Sequence, residues 1–298
     1  MDCLNCGGTT HKRGVRNGKQ RIRCIKCGTW DMEYLSPRSM AKILLFDIET
    51  TPMEVFVWGL IGNKYINHDN IINDWNVLSW SAKWLCDSKV MSDIQRSDEA
   101  IERDDKRVLN GIWKLIDQAD IVITQNGNAF DIKKLNTRFK INGYPPPSSF
   151  QSIDTLLVAK RNFAFSSNKL DYMSKIMIRR GKIETNFDLW RNCLLGDKKA
   201  LKKMQKYNEE DVRLLEEVYI ELRPWIKSHP NVGIYIDGEA KACPTCGSEN
   251  IRRNGSYYTT TVNQYQSYSC NNCGSHCREL KGIRTLNERQ SLMRAMPR

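Results

Sequence analysis

The chain has 298 residues, 40% of them hydrophobic and 27% charged, which is enough for one sizeable core with small appendages and ordinary for a globular protein. No apolar run approaches membrane-spanning length and no signal-peptide pattern opens the chain, so a soluble, cytoplasmic protein with no membrane partner is expected. The formal charge of +12 sits at the ends: residues 1–40 hold 8 Lys/Arg against 3 Asp/Glu, residues 241–298 hold 9 against 3, and residues 41–240 are nearly balanced at 29 against 28, so the termini rather than the middle suit a polyanion.

The first 30 residues contain CLNC and CIKC, that is Cys3, Cys6, Cys24 and Cys27, with 17 residues between the pairs. Two Cys-x-x-Cys pairs at this separation place four thiolates at the corners of a tetrahedron, the arrangement of a closed structural Zn²⁺ site. The odd total of 11 cysteines and the lack of a secretory signal weigh against a disulfide framework. Gly7 and Gly28 follow the second Cys of each pair, where a tight turn with positive φ is expected. Between the pairs, Asn17-Gly18 predicts a turn flanked by strand-forming residues. The quartet and its RNGKQRIRC stretch resemble the zinc ribbons of transposases and transcription factors, which implies a small nucleic-acid-holding module over 1–36. Protein contact or simple capping of the core is the alternative role. Residues 31–40, with Ser-Pro, predict a linker.

In the middle, KILLFDI at 42–48 predicts a buried central strand, and Asp47 and Glu49 leave one face of it, two residues apart. Their repulsion is tolerable with a divalent cation between them. EVFVWGL and VLSWSAKWL predict two more strands, with Trp80 and Trp84 as core fillers. A helix is expected over 104–118, then a strand at 120–124, a turn at Asn126-Gly127 and a helix with Asp131 in its first turn. Asp131 there is either an acid at the carboxyl edge of the sheet or a helix N-cap. Asp154 is expected to cap a helix at 155–162, and Cys86 and Cys193 to be small core residues. LDYMSKIM and ALKKMQKY predict amphipathic helices, and the 13 Lys/Arg against 4 Asp/Glu over 158–206 either line a groove or face solvent. Wound at 100° per residue, YNEEDVRLLEE puts Glu209 and Glu216 on the far side and Glu210 and Glu217 at the edge, but Asp211 within the apolar stripe of Leu214, Leu215, Val218 and Leu222. A buried carboxylate there needs a cation or strong donors.

FDIETT, NGNAFD and YNEED, in this order, resemble the three motifs of the DEDD superfamily of 3′→5′ exonucleases, in its tyrosine (DEDDy) form. The resemblance covers roughly 41–230 and implies a ribonuclease-H-like α/β fold, a mixed sheet flanked by helices. It implies that Asp47, Glu49, Asp131 and Asp211 hold two Mg²⁺ or Mn²⁺ ions, with Tyr207, one turn before Asp211, orienting water. The implied reaction is two-metal hydrolysis of phosphodiesters at single-stranded 3′ ends, DNA favoured over RNA, releasing 5′-mononucleotides. Thr50 and Thr51 are candidate donors to the terminal nucleotide, and Asn126 a candidate support for the second motif. The alternatives are a structure-selective endonuclease on the same fold and a non-catalytic nucleic-acid-binding adaptor.

Residues 231–242 predict a second linker. CPTC and CNNC then supply Cys243, Cys246, Cys270 and Cys273, 23 residues apart, a second ribbon over 240–280 that looks like a relative of the first. Gly247 and Gly274 again follow the knuckles, Asn254-Gly255 predicts the turn, and Tyr257, Tyr258, Tyr265 and Tyr268 are available to stack on bases. His276 and Cys277 lie near enough to compete as ligands, but the knuckle spacing favours Cys270 and Cys273. A basic tail follows over 281–298, and two structural Zn²⁺ are expected in all.

Overall fold

The structure, a computed structural model, describes every residue except 1–2, 4–5, 9, 17–18, 35–40, 60–64, 237–239, 294 and 297–298. The chain divides into two compact units, one formed by residues 1–41 with 230–298 and the other by residues 42–229. At the N-terminus β1 (Thr10–Arg16), β2 (Lys19–Cys24) and β3 (Trp30–Tyr34) form an antiparallel sheet in that order. The turn expected at Asn17-Gly18 lies outside the described residues. Of the linker expected over 31–40, residues 31–34 instead continue β3, where they pair with β2, and the rest is not described.

The second unit begins with β4 (Ile43–Thr50), followed by the short β5 (Glu54–Val55) and β6 (Ile71–Asn73), which pair only with each other. Next come β7 (Val77–Trp84), β8 (Val90–Ile94), α1 (Ser97–Glu102), α2 (Lys106–Asp117), β9 (Ile121–Thr124), α3 (Asp131–Ile141) and β10 (Gln151–Asp154). The helices α4 (Thr155–Asn162), α5 (Leu170–Met177), α6 (Phe187–Leu194) and the long α7 (Lys198–Leu222) complete it. The main sheet has the order β10-β9-β4-β7-β8; β10, β9 and β4 run parallel, and β7 and β8 antiparallel. This is the expected α/β class, a mixed sheet flanked by helices.

The alternation of side chains along β4 divides the core. Leu44, Phe46 and Ile48 join Val108, Leu109, Ile112, Leu135 and Phe139 of α2 and α3 in one apolar layer. Asp47 and Glu49, of opposite parity, leave by the other face, where α7 packs against β4, β7 and β8. Both faces of the central strand are thus covered, which is why its sequence is nearly continuous in apolar residues. Trp80 is buried and Trp84 packs at the edge of the same layer, as expected.

Three expectations fail here. EVFVWGL contributes only the two-residue β5, and Phe56, Val57 and Trp58 are exposed, because no strand of the main sheet is left for that segment to pair with. Cys193 is buried, but Cys86 is exposed: it sits with φ +65° in the tight turn after β7, where Asp87 N–H donates to the Trp84 carbonyl. Glu216, placed on the wet side by the helical wheel, is buried and ion-paired with Lys83 of β7, and also accepts the Cys86 N–H at 2.8 Å.

At the C-terminus β11 (Ile251–Thr259), β12 (Gln264–Cys270) and β13 (His276–Arg278) form a second antiparallel three-stranded sheet, followed by α8 (Leu286–Gln290). The hairpin does not turn at Asn254-Gly255. Those residues lie in a bulge within β11, between Arg253 and Tyr257, and the chain reverses at residues 260–263, where Thr260 N–H donates to the Asn263 carbonyl at 2.8 Å. Among the described residues no helix is long and apolar enough to cross a membrane.

Candidate active site

Two elements bring the acids of the second unit together. The β4 parity sends Asp47 and Glu49 toward α7, and the helical period of α7 turns Tyr207, Asn208 and Asp211 back toward β4. Asp211 is buried with Leu214, Leu215, Val218 and Leu222 around it, as its place in the apolar stripe requires. One oxygen from each of Asp47, Glu49 and Asp211 lies within 4.8 Å of the others. Asp131 stands outside that trio but next to it. It is no N-cap: it occupies the first position of α3, buried, and accepts the Ile48 N–H of β4 at 3.1 Å.

The cluster is held by donors that motif reading did not single out. Asn208, fully buried, donates to Asp47 Oδ2 at 2.7 Å. Lys182 Nζ lies 2.5 Å from Asp211 Oδ2 and 3.4 Å from the Tyr207 hydroxyl. Lys182 had no signal beyond the general basic surplus of 158–206. It is delivered by a short segment tied to α5, where Lys182 N–H donates to Asp171 at 2.9 Å, and to α7, where Arg180 pairs with Glu210 and Glu217. Trp190 of α6 stands edge-on to Tyr207, ring centres 6.3 Å apart.

Burial and mutual repulsion reshape the titration of the group. Desolvation, then Asp131, Asp211 and Glu49, push Asp47 well above the ordinary carboxylate range. Burial and the Asp211 charge raise Glu49 to about 8, and burial raises Asp131 to about 7. Asp211 is also raised by burial, although Lys182 and Tyr207 oppose the shift. For Lys182 burial works against the charge, but Asp211 and Asp47 outweigh it and keep the ammonium protonated. One cation facing four acids leaves the centre short of positive charge, and Asp211 Oδ1, buried, has no hydrogen-bond partner. An all-oxygen donor set with an orphaned carboxylate oxygen fits a hard divalent cation.

Beside the acids, Thr50, Thr51, Pro52, Thr185, Asn186, Phe187 and Trp190 line a cleft of about 380 Å³. Thr50 remains a candidate donor there. Thr51 does not: it is buried, and both its N–H and its hydroxyl are taken up by Asn76, at 3.0 and 2.7 Å. Asn126 sits at the start of the loop that leads to Asp131, with φ +64°. Its N–H and that of Asn128 donate to the two Asp154 oxygens, at 2.9 and 3.2 Å, while the same side chain caps α4 through Leu156 and Leu157. The next residue must be glycine, since a Cβ at Gly127 would stand 2.1 Å from Thr124 Oγ1. The Asn126 side chain itself is exposed.

The cysteine quartets form two further candidate metal centres. Cys3, Cys6, Cys24 and Cys27 converge, as do Cys243, Cys246, Cys270 and Cys273, each quartet with its sulfurs within 4.8 Å of one another. The Sγ separations of 3.6 and 3.5 Å in the first, and 3.7 and 3.6 Å in the second, approach the edge of about 3.8 Å of a tetrahedron with metal–sulfur bonds near 2.3 Å. They are far too long for disulfides. All four knuckles share one turn: the N–H of Gly7, Gly28, Gly247 and Gly274 reaches back to the first Cys carbonyl, and each glycine has φ between +67° and +75°. Cys277 is not part of the second quartet, and His276 Nδ1 pairs with Ser269 Oγ instead, at 3.1 Å.

Comparison with known proteins places this geometry in a family. No curated protein sequence matches the chain. Among solved structures, the family B DNA polymerase of the hyperthermophilic archaeon Pyrobaculum calidifontis is similar at 16% identity and a TM-score of 0.46, over 73% of this chain and only 28% of the polymerase. A family model described as the RNase_H superfamily matches residues 44–223, the span that contains the main sheet, α7 and all four acids. Its match over more than half of the sequence supports a nuclease-type activity, and the chain belongs to the RNase_H superfamily.

Proposed function

We propose that the protein is a divalent-metal-dependent 3′→5′ exonuclease that removes 5′-mononucleotides from single-stranded nucleic-acid ends, DNA in preference to RNA, with the DEDDy set of residues. The observation that carries the reading is the convergence of Asp47, Glu49 and Asp211 from β4 and α7 on one buried point with an unpartnered oxygen. Asp131 joins them as a fourth acid through its charge on Asp47. These four would hold two Mg²⁺ or Mn²⁺ ions, which when bound supply charge neutralisation and activation of water. The Tyr207 phenol is kept protonated, because burial and then Asp211 raise it above its ordinary range. It therefore acts as a donor that orients water and not as a base. Lys182 holds Asp211 ionised and in place, and Asn208 does the same for the orientation of Asp47. Thr50, with Phe187 and Trp190, offers the neighbouring cleft to the terminal nucleotide. In the ribbons, the thiolate quartets would hold structural Zn²⁺.

The test is a 5′-labelled single strand, as DNA and as RNA, incubated with Mg²⁺ or Mn²⁺. A ladder shortening from the 3′ end is expected; one internal cut would identify an endonuclease, and an intact strand an adaptor. Asp47→Ala and Asp211→Ala should each reduce cleavage by at least about a hundredfold. Tyr207→Phe should slow it by up to about a hundredfold without abolishing it.

A further inference from the structure

We infer that one face of the C-terminal three-stranded sheet is a separate platform for single-stranded nucleic acid, built by Tyr258, Tyr265 and Arg278. The strand register fixes which side chains share that face. Tyr258 pairs with Tyr265, Ser267 with Arg278, and Ser269 with both Arg252 and His276. Alternation along β12 puts Tyr265, Ser267 and Ser269 on one side, so the two tyrosines, the two arginines and the histidine all emerge together. The tyrosine rings are 6.4 Å apart, and the Arg278 guanidinium lies 4.0 Å from the Tyr265 ring centre and 5.2 Å from that of Tyr258. Tyr258 is 52% exposed, and Arg252, His276 and Arg278 are exposed too.

Charge assigns the occupant. The sequences of β11, β12 and β13 contain no Asp or Glu. The nearest acid in the chain after them, Glu279, falls on the opposite face, where it accepts the Tyr268 hydroxyl at 2.6 Å and pairs with Lys241. A protein ligand would find few acceptors here, whereas aromatic rings with stacked guanidinium beside them match the flat bases and phosphates of an unpaired strand. In a duplex the bases are not presented to such a surface. The inference takes the class of ligand from the nuclease reading, but the site belongs to the other compact unit and is tested without catalysis.

The full chain carrying Asp47→Ala is titrated, by fluorescence anisotropy, into a labelled oligothymidylate of about 20 nucleotides and into its duplex with oligoadenylate. Tighter binding of the single strand is expected. Tyr258→Ala with Tyr265→Ala should weaken it at least about tenfold, the corresponding Phe pair should stay within about twofold, and Arg278→Ala should lower the salt dependence by about one counterion. Zinc content is measured for every variant. If the Ala pair loses metal, Tyr258→Ala alone decides, with about a threefold loss expected at that exposed position. Unchanged affinity in the zinc-replete Ala variant, an equal loss in the Phe pair, or a preference for duplex would overturn the platform. Absence of cleavage by the unsubstituted chain would overturn the nuclease reading and leave these binding results standing.

Discussion

Lys182 is where the chemistry of the acid cluster is most exposed to a single change. It is the one cation bonded to Asp211, and its side chain is 26% exposed against 1% for its partner. Lys182→Gln should cost about 2–3 kcal/mol of stability near pH 8 in the absence of divalent ions, because a buried carboxylate loses its counter-charge. Added Mg²⁺ should restore most of that loss, as seen in thermal melts; a variant as stable as the parent would remove Lys182 from this role. The acids themselves set a pH dependence. Glu49 is raised to about 8 and Asp131 to about 7, with Asp47 and Asp211 raised too. Above about pH 4.5 the folded chain retains protons that the unfolded chain releases, so without divalent ions stability is highest at the acid end and falls as the pH climbs through about 8. Carboxylates lowered by ion pairs, such as Glu99 and Asp171, titrate below that window and do not offset it. The expected result is a lower Tm at pH 8.5 than at pH 5.5, with Mg²⁺ closing the gap at the higher pH.

At the scale of elements, Asp154 ties two pieces of backbone together. One oxygen accepts from Asn126, Leu156 and Leu157, and the other from Asn128. Asp154→Ala should cost about 2 kcal/mol and slow cleavage by loosening the loop before Asp131, whereas Asp154→Asn, which keeps one carbonyl oxygen, should fall between the two. Denaturant melts and rates measured together check this; full activity in the Ala variant would show that the loop needs no such anchor. The cap was legible in the sequence because Asp before an apolar helical run has one common use. The apolar stripe of α7 and the parity of β4 were legible for the same reason: both are local periods. What stayed hidden depends on partners far along the chain. Glu216 is inside because Lys83 of β7 meets it, 133 residues away, and no wheel drawn on α7 contains that information. Lys182 and Asn208 are ordinary polar residues until β4 is laid against them. Phe56 to Trp58 have strand-like composition, but composition does not supply an open edge to pair with. Asn254-Gly255 carries a hairpin signal, and the register of β11 absorbs it as a bulge.

For the molecule as a whole, the two compact units rest on different forces. Residues 42–229 bury two apolar layers against a mixed sheet, whereas the small ribbon sheets have little apolar core beyond their cysteines, as in the cluster of Cys243, Cys270 and Cys273 with Ile251. Metal analysis should find about two tightly held Zn per chain. Stripping them should unfold the terminal ribbons while the central unit still melts cooperatively and survives limited proteolysis as a fragment near 42–229. Joint loss of both would show that the central unit depends on the ribbons. The carboxylate centre also has a consequence for how the protein is made. Asp47 and Glu49 leave the ribosome early, but Asp211 is not reached until roughly seven-tenths of the 298 codons have been translated. A nascent chain stalled before that point carries half a catalytic centre on a strand whose covering helix does not yet exist, so interrupted synthesis cannot release a working nuclease.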